Sequence, residues 1–139
     1  MIQVVANDEL EHLLIPGVLL SKKVLVAEDD ELNYFLIKEY LEFSKVELVW
    51  AQNGREAVDI VQSTPDLDIV LMDIQMPELN GFEALREIKA FKPELPIIAL
   101  TAYAVGGDRE RGLKAGFDEY ISKPVSRKLL ISNILKFIS

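Results

Sequence analysis

The sequence predicts an α/β fold in which a doubly wound, mostly parallel sheet carries helices on both faces. From residue 22 onward, short apolar runs alternate with longer segments of helical periodicity, and this alternation repeats five times. Three of the runs are continuous and rich in Val, Ile or Leu, which is typical of strands covered on both faces. Parallel strands need crossover connections, and right-handed crossovers leave chiefly the doubly wound topologies. The 139 residues fit one domain with a sizeable core.

The predicted strands are the apolar runs themselves, and Gly and Pro residues separate them from the helices. In chain order the strands cover residues 24–27, 46–51, 69–72, 97–100 and 117–121. The residues that mark element boundaries or loops are Gly54, Gly81, Gly116, Pro77, Pro93 and Pro96. Gly116 follows the end of a predicted helix, where a left-handed cap is favoured.

Apolar stripes with helical spacing predict which face each helix buries. In the first three helices the stripes are Leu32, Phe35, Leu36, Tyr40 and Phe43, then Ala57, Val58 and Val61, then Ala84, Leu85, Ile88 and Phe91. In the last helix the stripe is Ile131, Ile134, Leu135 and Ile138, with Leu130 and Phe137 toward another side. The fourth helix has glycines at 106, 107 and 112 and little stripe beyond Leu113, so we expect it to be the least stable.

The first 20 residues stand apart from the alternating pattern. We expect residues 1–20 to be an N-terminal extension or linker and residues 21–139 to be the folded domain. The segment NDELEHLL could form one or two helical turns after an Asn7 cap, and a simple tether is the other interpretation.

The composition excludes several classes of function. Fifteen Lys and Arg against 23 Asp and Glu give a net charge of −8, which argues against direct binding of nucleic acid. The absence of cysteine excludes disulfide scaffolds, thiolate zinc sites and thiol nucleophiles. No apolar run approaches the roughly 20 residues of a membrane span. No basic region precedes the first apolar residues, as it would in a signal peptide. We therefore expect a cytoplasmic domain without membrane contact.

Residues that can carry chemistry lie where four of the predicted strands end. Glu28, Asp29 and Asp30 follow the first strand, Asp73 follows the third, Thr101 follows the fourth and Lys123 follows the fifth. The carboxyl ends of parallel strands share one edge of the sheet, where open α/β sheets bind their ligands. We therefore expect these side chains to lie close together.

Several carboxylates at one edge need a counter-charge. Two like charges about 4 Å apart repel by roughly 4 kcal/mol at an effective dielectric constant of 20. Lys123 can balance one carboxylate, and a hard divalent cation such as Mg²⁺ or Mn²⁺ can balance the others. A flavin or dinucleotide site would instead need a loop rich in Gly, Ser or Thr after the first strand.

An aspartate at this edge can attack a phosphoryl group and hold it as an acyl phosphate. Positioning and charge neutralisation dominate such transfers, and a divalent cation, Lys123 and Thr101 could supply both. The one histidine, His12, is far from the cluster in sequence, which disfavours histidine acid–base catalysis. Each residue alone also fits a structural role as a helix cap, a turn or a surface lysine. Their coincidence at four strand ends favours function.

At these residues the sequence resembles the receiver domain of two-component response regulators, over about residues 22–138. The matching stretches are VLVAEDDELN, DIVLMDIQMPELNGFEALREIK, PIIALTAYA and AGFDEYISKPV. The resemblance implies a flavodoxin-like fold, with five strands in the order 2-1-3-4-5 and five helices. It also implies that the domain is no enzyme by itself beyond self-phosphorylation from a phosphodonor and autodephosphorylation.

The resemblance assigns a role to each residue that matches a motif. Asp73 matches the phosphoacceptor, and Glu28 and Asp29 match the acidic pair that binds Mg²⁺ together with Asp73. Gln75 matches the position whose backbone carbonyl completes the metal site. Thr101 and Tyr120 match the switch residues. Lys123 matches the lysine that pairs with the phosphoryl group, and its bond to Pro124 matches a peptide that is usually cis in the family.

The resemblance also implies partners. A histidine kinase or a histidine phosphotransfer domain would donate the phosphoryl group. The face built from the fourth helix, fifth strand and fifth helix would carry the output or a homodimer contact. The phrases LMDIQMP and ALTAYA, with Asn33 after the acidic loop, are slightly more similar to hybrid sensor kinase receivers than to free-standing regulators.

Some residues depart from the family pattern, and two other functions stay open. Asp30 stands where many relatives have Asn, Gln75 and Tyr103 occupy positions that tune acyl-phosphate lifetime, and Gly106–Gly107 is unusual before a switch helix. A pseudo-receiver that binds partners without phosphoryl turnover is the main alternative. An aspartyl-phosphate phosphatase would need a second Asp where Gln75 stands.

Overall fold

A parallel five-stranded sheet forms the centre of the molecule. The computed structural model describes residues 15–102 and 108–138. The strands are β1 (Lys23–Ala27), β2 (Glu47–Ala51), β3 (Ile69–Asp73), β4 (Ile97–Thr101) and β5 (Glu119–Ser122). They are all parallel, in the order β2-β1-β3-β4-β5, which confirms the predicted topology.

Five helices in the described residues flank the sheet. They are α1 (Glu31–Leu41), α2 (Gly54–Ser63), α3 (Gly81–Phe91), α4 (Asp108–Ala115) and α5 (Arg127–Ile138), and a short 3₁₀ helix (Glu42–Ser44) extends α1. Side-chain caps fix three of the starts, because the side-chain oxygens of Asp30, Asn53 and Asn80 accept backbone N–H groups of α1, α2 and α3. A cap of this kind stabilises a helix by about 1 kcal/mol.

The sheet separates two apolar cores. Side chains alternate across each strand, so Val24 and Val26 of β1 face one core while Leu25 and Ala27 face the other. Helices α1 and α5 cover the first core, and α2 and α3 cover the second. This layering leaves the carboxyl ends of the strands at one open edge.

The predicted face of α1 is wrong at its start, although Tyr40 and Phe43 pack against the core as predicted. Leu32 and Phe35 are 79% and 46% exposed, whereas Tyr34, Ile37 and Leu41 are buried. Helix α1 is apolar on more than one side, so its periodicity did not select the buried stripe. Packing selects it instead: the Tyr34 ring stacks on Trp50 of β2, with centroids 4.2 Å apart.

The stripes of α3 and α5 differ from prediction in single residues. Phe91 is 43% exposed at the end of α3. Leu130 is fully buried with Ile131 and Ile134, while Leu135 is only partly buried. Strand β5 begins at Glu119 rather than 117, because the Phe117 N–H donates to the Gly112 carbonyl and continues the end of α4.

Residues 15–22 pack on the domain. Leu19 is only 2% exposed, and the N–H groups of Gly17 and Leu19 donate to the carbonyls of Phe43 and Ser44. A boundary at residue 20 stays a prediction, and the burial of Leu19 argues for including residues 15–20 with the folded part. The expectations for NDELEHLL, His12, Tyr103 and Gly106–Gly107 fall outside the described residues.

Among residues 15–102 and 108–138, no helix combines the length and the apolar character that crossing a membrane requires.

Candidate functional site

The acidic loop after β1 places one carboxylate inside the protein and one at its surface. The Glu28 N–H donates to the Ala51 carbonyl at 2.9 Å, which extends the β1–β2 ladder by one residue. The Glu28 side chain is completely buried, whereas Asp29 is exposed. Asp30 turns away from the pair, since its side chain accepts the N–H of Leu32 as the cap of α1. The loop thus contributes two carboxylates to the edge.

Asp73 is the last residue of β3 and meets these carboxylates. It is 4% exposed, and one carboxylate oxygen from each of Glu28, Asp29 and Asp73 lies within 4.8 Å of the other two. The Asp73 Oδ1 atom accepts the N–H of Gln75 at 3.0 Å. Two adjacent acids, Glu28 and Asp29, therefore form one cluster with Asp73, which follows more than 40 positions later in the sequence.

Lys123 is the cation of this cluster. Its Nζ atom lies 3.1 Å from both carboxylate oxygens of Glu28 and 3.2 Å from Asp73 Oδ2. The backbone directs it there, because the Lys123 N–H donates to the Thr101 carbonyl at 2.7 Å, beyond the last β4–β5 pair. The Lys123–Pro124 peptide is cis, as the resemblance implies.

The site perturbs the protonation of its own groups. The pKa of Glu28 is raised to about 7, because burial and, to a lesser degree, the Asp73 charge outweigh the Asn33 and Lys123 hydrogen bonds that lower it. Burial alone would lower the pKa of Lys123, but the Asp73 and Glu28 carboxylates outweigh burial and raise that pKa. Burial thus opposes the charge on both groups, and the ion pair between Glu28 and Lys123 offsets part of that cost.

A close backbone approach holds the loop between β3 and α3 against Asp73. A Cβ atom added at Gly81 would lie 2.6 Å from the Asp73 carbonyl oxygen and 2.7 Å from the Ile74 Cα. Only glycine permits this approach, which brings the start of α3 against the end of β3. Gln75, the predicted carbonyl ligand, lies in this loop with its side chain exposed.

The two predicted switch residues lie on the adjoining strands β4 and β5. Thr101 ends β4 and is 1% exposed. Tyr120 of β5 is also buried, and its ring packs on Gly112 of α4. A Cβ atom at Gly112 would lie 2.4 Å from the Cδ2 atom of that ring, so glycine leaves the space that the ring fills.

Two contacts to Glu28 were not predicted. The Asn33 side-chain amide donates to Glu28 Oε1 at 3.0 Å, and the Trp50 indole N–H donates to the Glu28 carbonyl at 2.8 Å. The first could have been expected, because Asn33 lies in the first turn of a helix that starts beside the loop. Nothing in the sequence pairs Trp50 with Glu28, because the contact depends on strand register.

The donor set fits a hard divalent cation. Three carboxylates meet in one place, two of them are buried, and a single ammonium contacts those two. Carboxylate oxygens are the ligands that Mg²⁺ prefers in proteins, and the exposed Asp29 leaves one side open for water or phosphate oxygens. The arrangement can therefore hold a cation next to a nucleophilic carboxylate.

Comparisons with known proteins agree with this geometry. A family model described as response regulator receiver domain matches residues 24–135. The chain is 42% identical over 120 residues to hybrid signal transduction histidine kinase I of Dictyostelium discoideum, covering 81% of this chain but 7% of that protein. It is 39% identical over 122 residues to the polar-differentiation response regulator DivK of Brucella anthropi, covering 86% of this chain and 98% of that protein.

Two solved structures have the same fold. The receiver domain of the sensor histidine kinase PA1611 from Pseudomonas aeruginosa, with a magnesium ion coordinated in its active site cleft, superposes with a TM-score of 0.77 at 35% identity, covering 84% of this chain and 96% of that one. The receiver domain of the Saccharomyces cerevisiae response regulator Ssk1, co-crystallised with the histidine phosphotransfer protein Ypd1, gives a TM-score of 0.77 at 30% identity, with 84% and 88% covered.

Proposed function

This chain belongs to the response regulator receiver domain family, and from that premise we propose that Asp73 accepts a phosphoryl group from a phosphohistidine. The observation that carries the proposal is the cluster itself. Glu28, Asp29 and Asp73 each place a carboxylate oxygen within 4.8 Å of the others, and Lys123 contacts two of the three. A buried nucleophilic carboxylate beside an ammonium suits phosphoryl transfer, which depends mainly on positioning and charge neutralisation.

The carboxylates of Glu28, Asp29 and Asp73, with the Gln75 backbone carbonyl, would hold Mg²⁺, and Mn²⁺ is an alternative with the same ligand preference. When bound, the ion supplies positive charge that lets phosphoryl oxygens approach an acidic edge. The burial of Glu28 and Asp73 supports this assignment, since two carboxylates out of contact with bulk water need positive charge close to them.

The transfer itself is an in-line displacement at phosphorus. A carboxylate oxygen of Asp73 forms a bond to the phosphorus, and the phosphorus–nitrogen bond of the phosphohistidine breaks. Its electron pair stays on the imidazole, which leaves neutral when its other nitrogen carries a proton. Lys123, 3.2 Å from Asp73 Oδ2, is placed to neutralise charge on the transferred oxygens.

The donor would be a histidine kinase or a histidine phosphotransfer domain. The Ssk1 receiver, which shares this fold, was co-crystallised with a histidine phosphotransfer protein. Leu32 and Phe35 are exposed apolar residues in the first turns of α1, directly after the acidic loop. They would give such a donor an apolar surface next to Asp73.

The output would use the face formed by α4, β5 and α5, either for a partner or for a second copy of the domain. Thr101 and Tyr120 would carry the change in charge at Asp73 to this face, because Thr101 ends β4 and Tyr120 lies in the neighbouring strand β5. Phosphorylation shifts such a face only through contacts that differ between the two states.

The two relatives favour different settings for the domain. One is a hybrid kinase, of which the match covers 7%, and the other is a response regulator, of which the match covers 98%. We propose the receiver of a hybrid sensor kinase, with a single-domain regulator as the second setting, and in both settings a cytoplasmic location.

Treatment with acetyl phosphate and Mg²⁺ tests the proposal. Intact-mass spectrometry should show the addition of one phosphoryl group, which acid removes. The Asp73→Asn variant should stay unmodified, whereas Asp59→Asn, which alters an exposed aspartate of α2, should be modified like the native protein. An unmodified native protein that still binds Mg²⁺ would instead identify a pseudo-receiver, and modification of Asp73→Asn would place the acceptor elsewhere.

A further inference from the structure

We infer that Trp50 is a positioning residue for Glu28: its indole N–H holds the Glu28 backbone so that the carboxylate points into the cation site. This inference rests on the proposed function, since it concerns a residue proposed to bind the ion. Among the described residues, Trp50 hydrogen-bonds to the backbone carbonyl of Glu28 and not to its carboxylate, so it acts through the backbone.

The contact comes from the strand beside the loop. Trp50 lies in the edge strand β2 and pairs in register with Val26 of β1. Its Nε1 atom donates to the Glu28 carbonyl oxygen at 2.8 Å, a short and well-formed hydrogen bond. The Glu28 N–H donates to the Ala51 carbonyl at 2.9 Å. Residues 50 and 51 of β2 therefore hold both backbone polar groups of Glu28.

The regular pairing of the strands stops just before this position. The register of β1 with β2 and with β3 runs to Ala27, so the Glu28 carbonyl lies one residue beyond the ladder. A carbonyl there is free to rotate unless another donor fixes it. The indole supplies that donor, and the backbone torsions at Glu28, which aim its side chain, are held as a consequence.

Packing fixes the indole in turn. The ring stacks on Tyr34 with centroids 4.2 Å apart and planes 3° from parallel. The centroid of the Phe35 ring lies 6.2 Å from that of the Trp50 ring. Phenylalanine could keep this stack but carries no donor, and among Phe, Tyr and Trp the indole of tryptophan is the ring with an N–H. Position 50 thus uses both the flat aromatic ring and the N–H donor of tryptophan.

The consequence concerns the affinity of the site for the ion. Mg²⁺ demands nearly ideal octahedral geometry, so a small rotation of one ligand weakens its binding. Residues that orient a ligand without touching the metal typically change affinity 10- to 100-fold. Asn33 and Lys123 still contact the Glu28 carboxylate when the indole bond is lost, so we expect the lower end, about tenfold.

Because the chain contains a single tryptophan, replacing tryptophan by an analogue during biosynthesis changes position 50 alone. Biosynthetic replacement of tryptophan by β-(3-benzothienyl)alanine exchanges the ring N–H for sulfur and keeps the ring size and the stack on Tyr34. Replacement by 5-fluorotryptophan keeps the N–H and is the matched control. The ¹³C shift of the Glu28 carbonyl reports the hydrogen bond, and calorimetric titration with MgCl₂ reports the dissociation constant.

We expect the benzothienyl protein to show a shifted Glu28 carbonyl signal and a dissociation constant for Mg²⁺ about tenfold higher. The fluorinated protein should match the native one in both. Leu48→Ala, which removes a partly buried side chain from the same strand, should lower the midpoint of urea unfolding without changing the dissociation constant.

The outcomes separate this inference from the function on which it rests. An unchanged dissociation constant in the benzothienyl protein would overturn the role of Trp50 and leave the proposed function intact, and so would an unchanged carbonyl signal. If Leu48→Ala also bound Mg²⁺ more weakly, any loosening of β2 would lower the affinity, and the specific role of Trp50 would be overturned. Native protein that fails to bind Mg²⁺ would overturn the proposed function, and the inference with it.

Discussion

Glu28 shows how one buried side chain connects the fold to the chemistry of the site. Its carboxyl group is completely buried, and burial raises its pKa to about 7. Near neutral pH the metal-free protein therefore holds a mixture of protonated and ionised Glu28. Exposed Asp29 has water as an additional source of solvation, so the two neighbouring acids contribute differently to the same cluster.

The binding of Mg²⁺ should strengthen as the pH rises from 6 to 8. A proton on Glu28 competes with the ion, and a pKa of about 7 makes the apparent affinity roughly tenfold higher at pH 8 than at pH 6. Calorimetric titration with MgCl₂ at the two pH values and constant ionic strength measures this change. Equal affinity at both values would show that Glu28 is ionised throughout.

In the protein without Mg²⁺, the titration of Glu28 also determines whether stability rises or falls with pH. The folded state keeps a proton on Glu28 between pH 4.5, its ordinary pKa, and about 7, whereas the unfolded state loses it. The contribution of Glu28 to the free energy of unfolding therefore falls as the pH rises through this window, by a few kcal/mol at most. Urea unfolding of Glu28→Gln, which cannot titrate, should show a flatter pH dependence than native protein.

Among the elements, helix α4 packs against strand β5 through a glycine and an aromatic ring. Gly112 lies inside α4, where glycine is ordinarily destabilising relative to alanine. The Tyr120 ring fills the space that a Cβ atom at this position would need, with ring carbons at 2.4 Å and 2.6 Å. The glycine that lowers the helix propensity of α4 therefore also makes room for the buried ring of Tyr120, the proposed switch residue.

Gly112→Ala should destabilise the protein even though alanine favours helices. The added methyl group forces either the Tyr120 ring or the helix to move, and overpacking of this kind costs about 1–3 kcal/mol. Urea unfolding measures the loss, and the exposure of Tyr120 to aqueous iodination shows whether the ring has moved outward.

A double-mutant cycle isolates the contact. In a Tyr120→Ala background the same Gly112→Ala change should become neutral or stabilising, because the ring that it meets is gone. Stabilisation by Gly112→Ala in the native background would mean that the ring and helix adjust without cost, and Gly112 would then have no part in holding Tyr120.

At the scale of the whole molecule, the packed domain extends before the first strand. The family match begins at residue 24, yet Leu19 is buried in the core formed with α1 and α5. Two backbone hydrogen bonds, from Gly17 and Leu19 to the end of the 3₁₀ helix and its preceding residue, hold the segment in place. We therefore expect residues 15–22 to contribute to stability.

Leu19→Ala should lower the free energy of unfolding by about 2–4 kcal/mol, the range for a leucine lost from a core. The adjacent Leu20→Ala is the matched control, since Leu20 is 67% exposed and its loss should change stability by less than about 0.5 kcal/mol. Chemical denaturation measures both. Similar values for the two variants would restore the boundary at residue 20.

The alternating fold and the residues at the strand ends can be read from the sequence. Burial of both sheet faces produces continuous apolar runs, and the carboxyl ends of parallel strands share an edge, so the sequence predicts Asp73 and Lys123 near the acidic loop. These features follow from local patterns and from topology, which both leave their mark along the chain.

Tertiary contacts select the buried side of α1, bury Glu28 while Asp29 stays exposed, and bring Trp50 and Leu19 into the domain. An apolar helix that could bury either side is turned by the surface it meets, here the Trp50 ring against Tyr34. Trp50 and Glu28 are 22 residues apart in sequence and meet through strand register. Contacts of this kind arise between distant segments, so no local pattern records them.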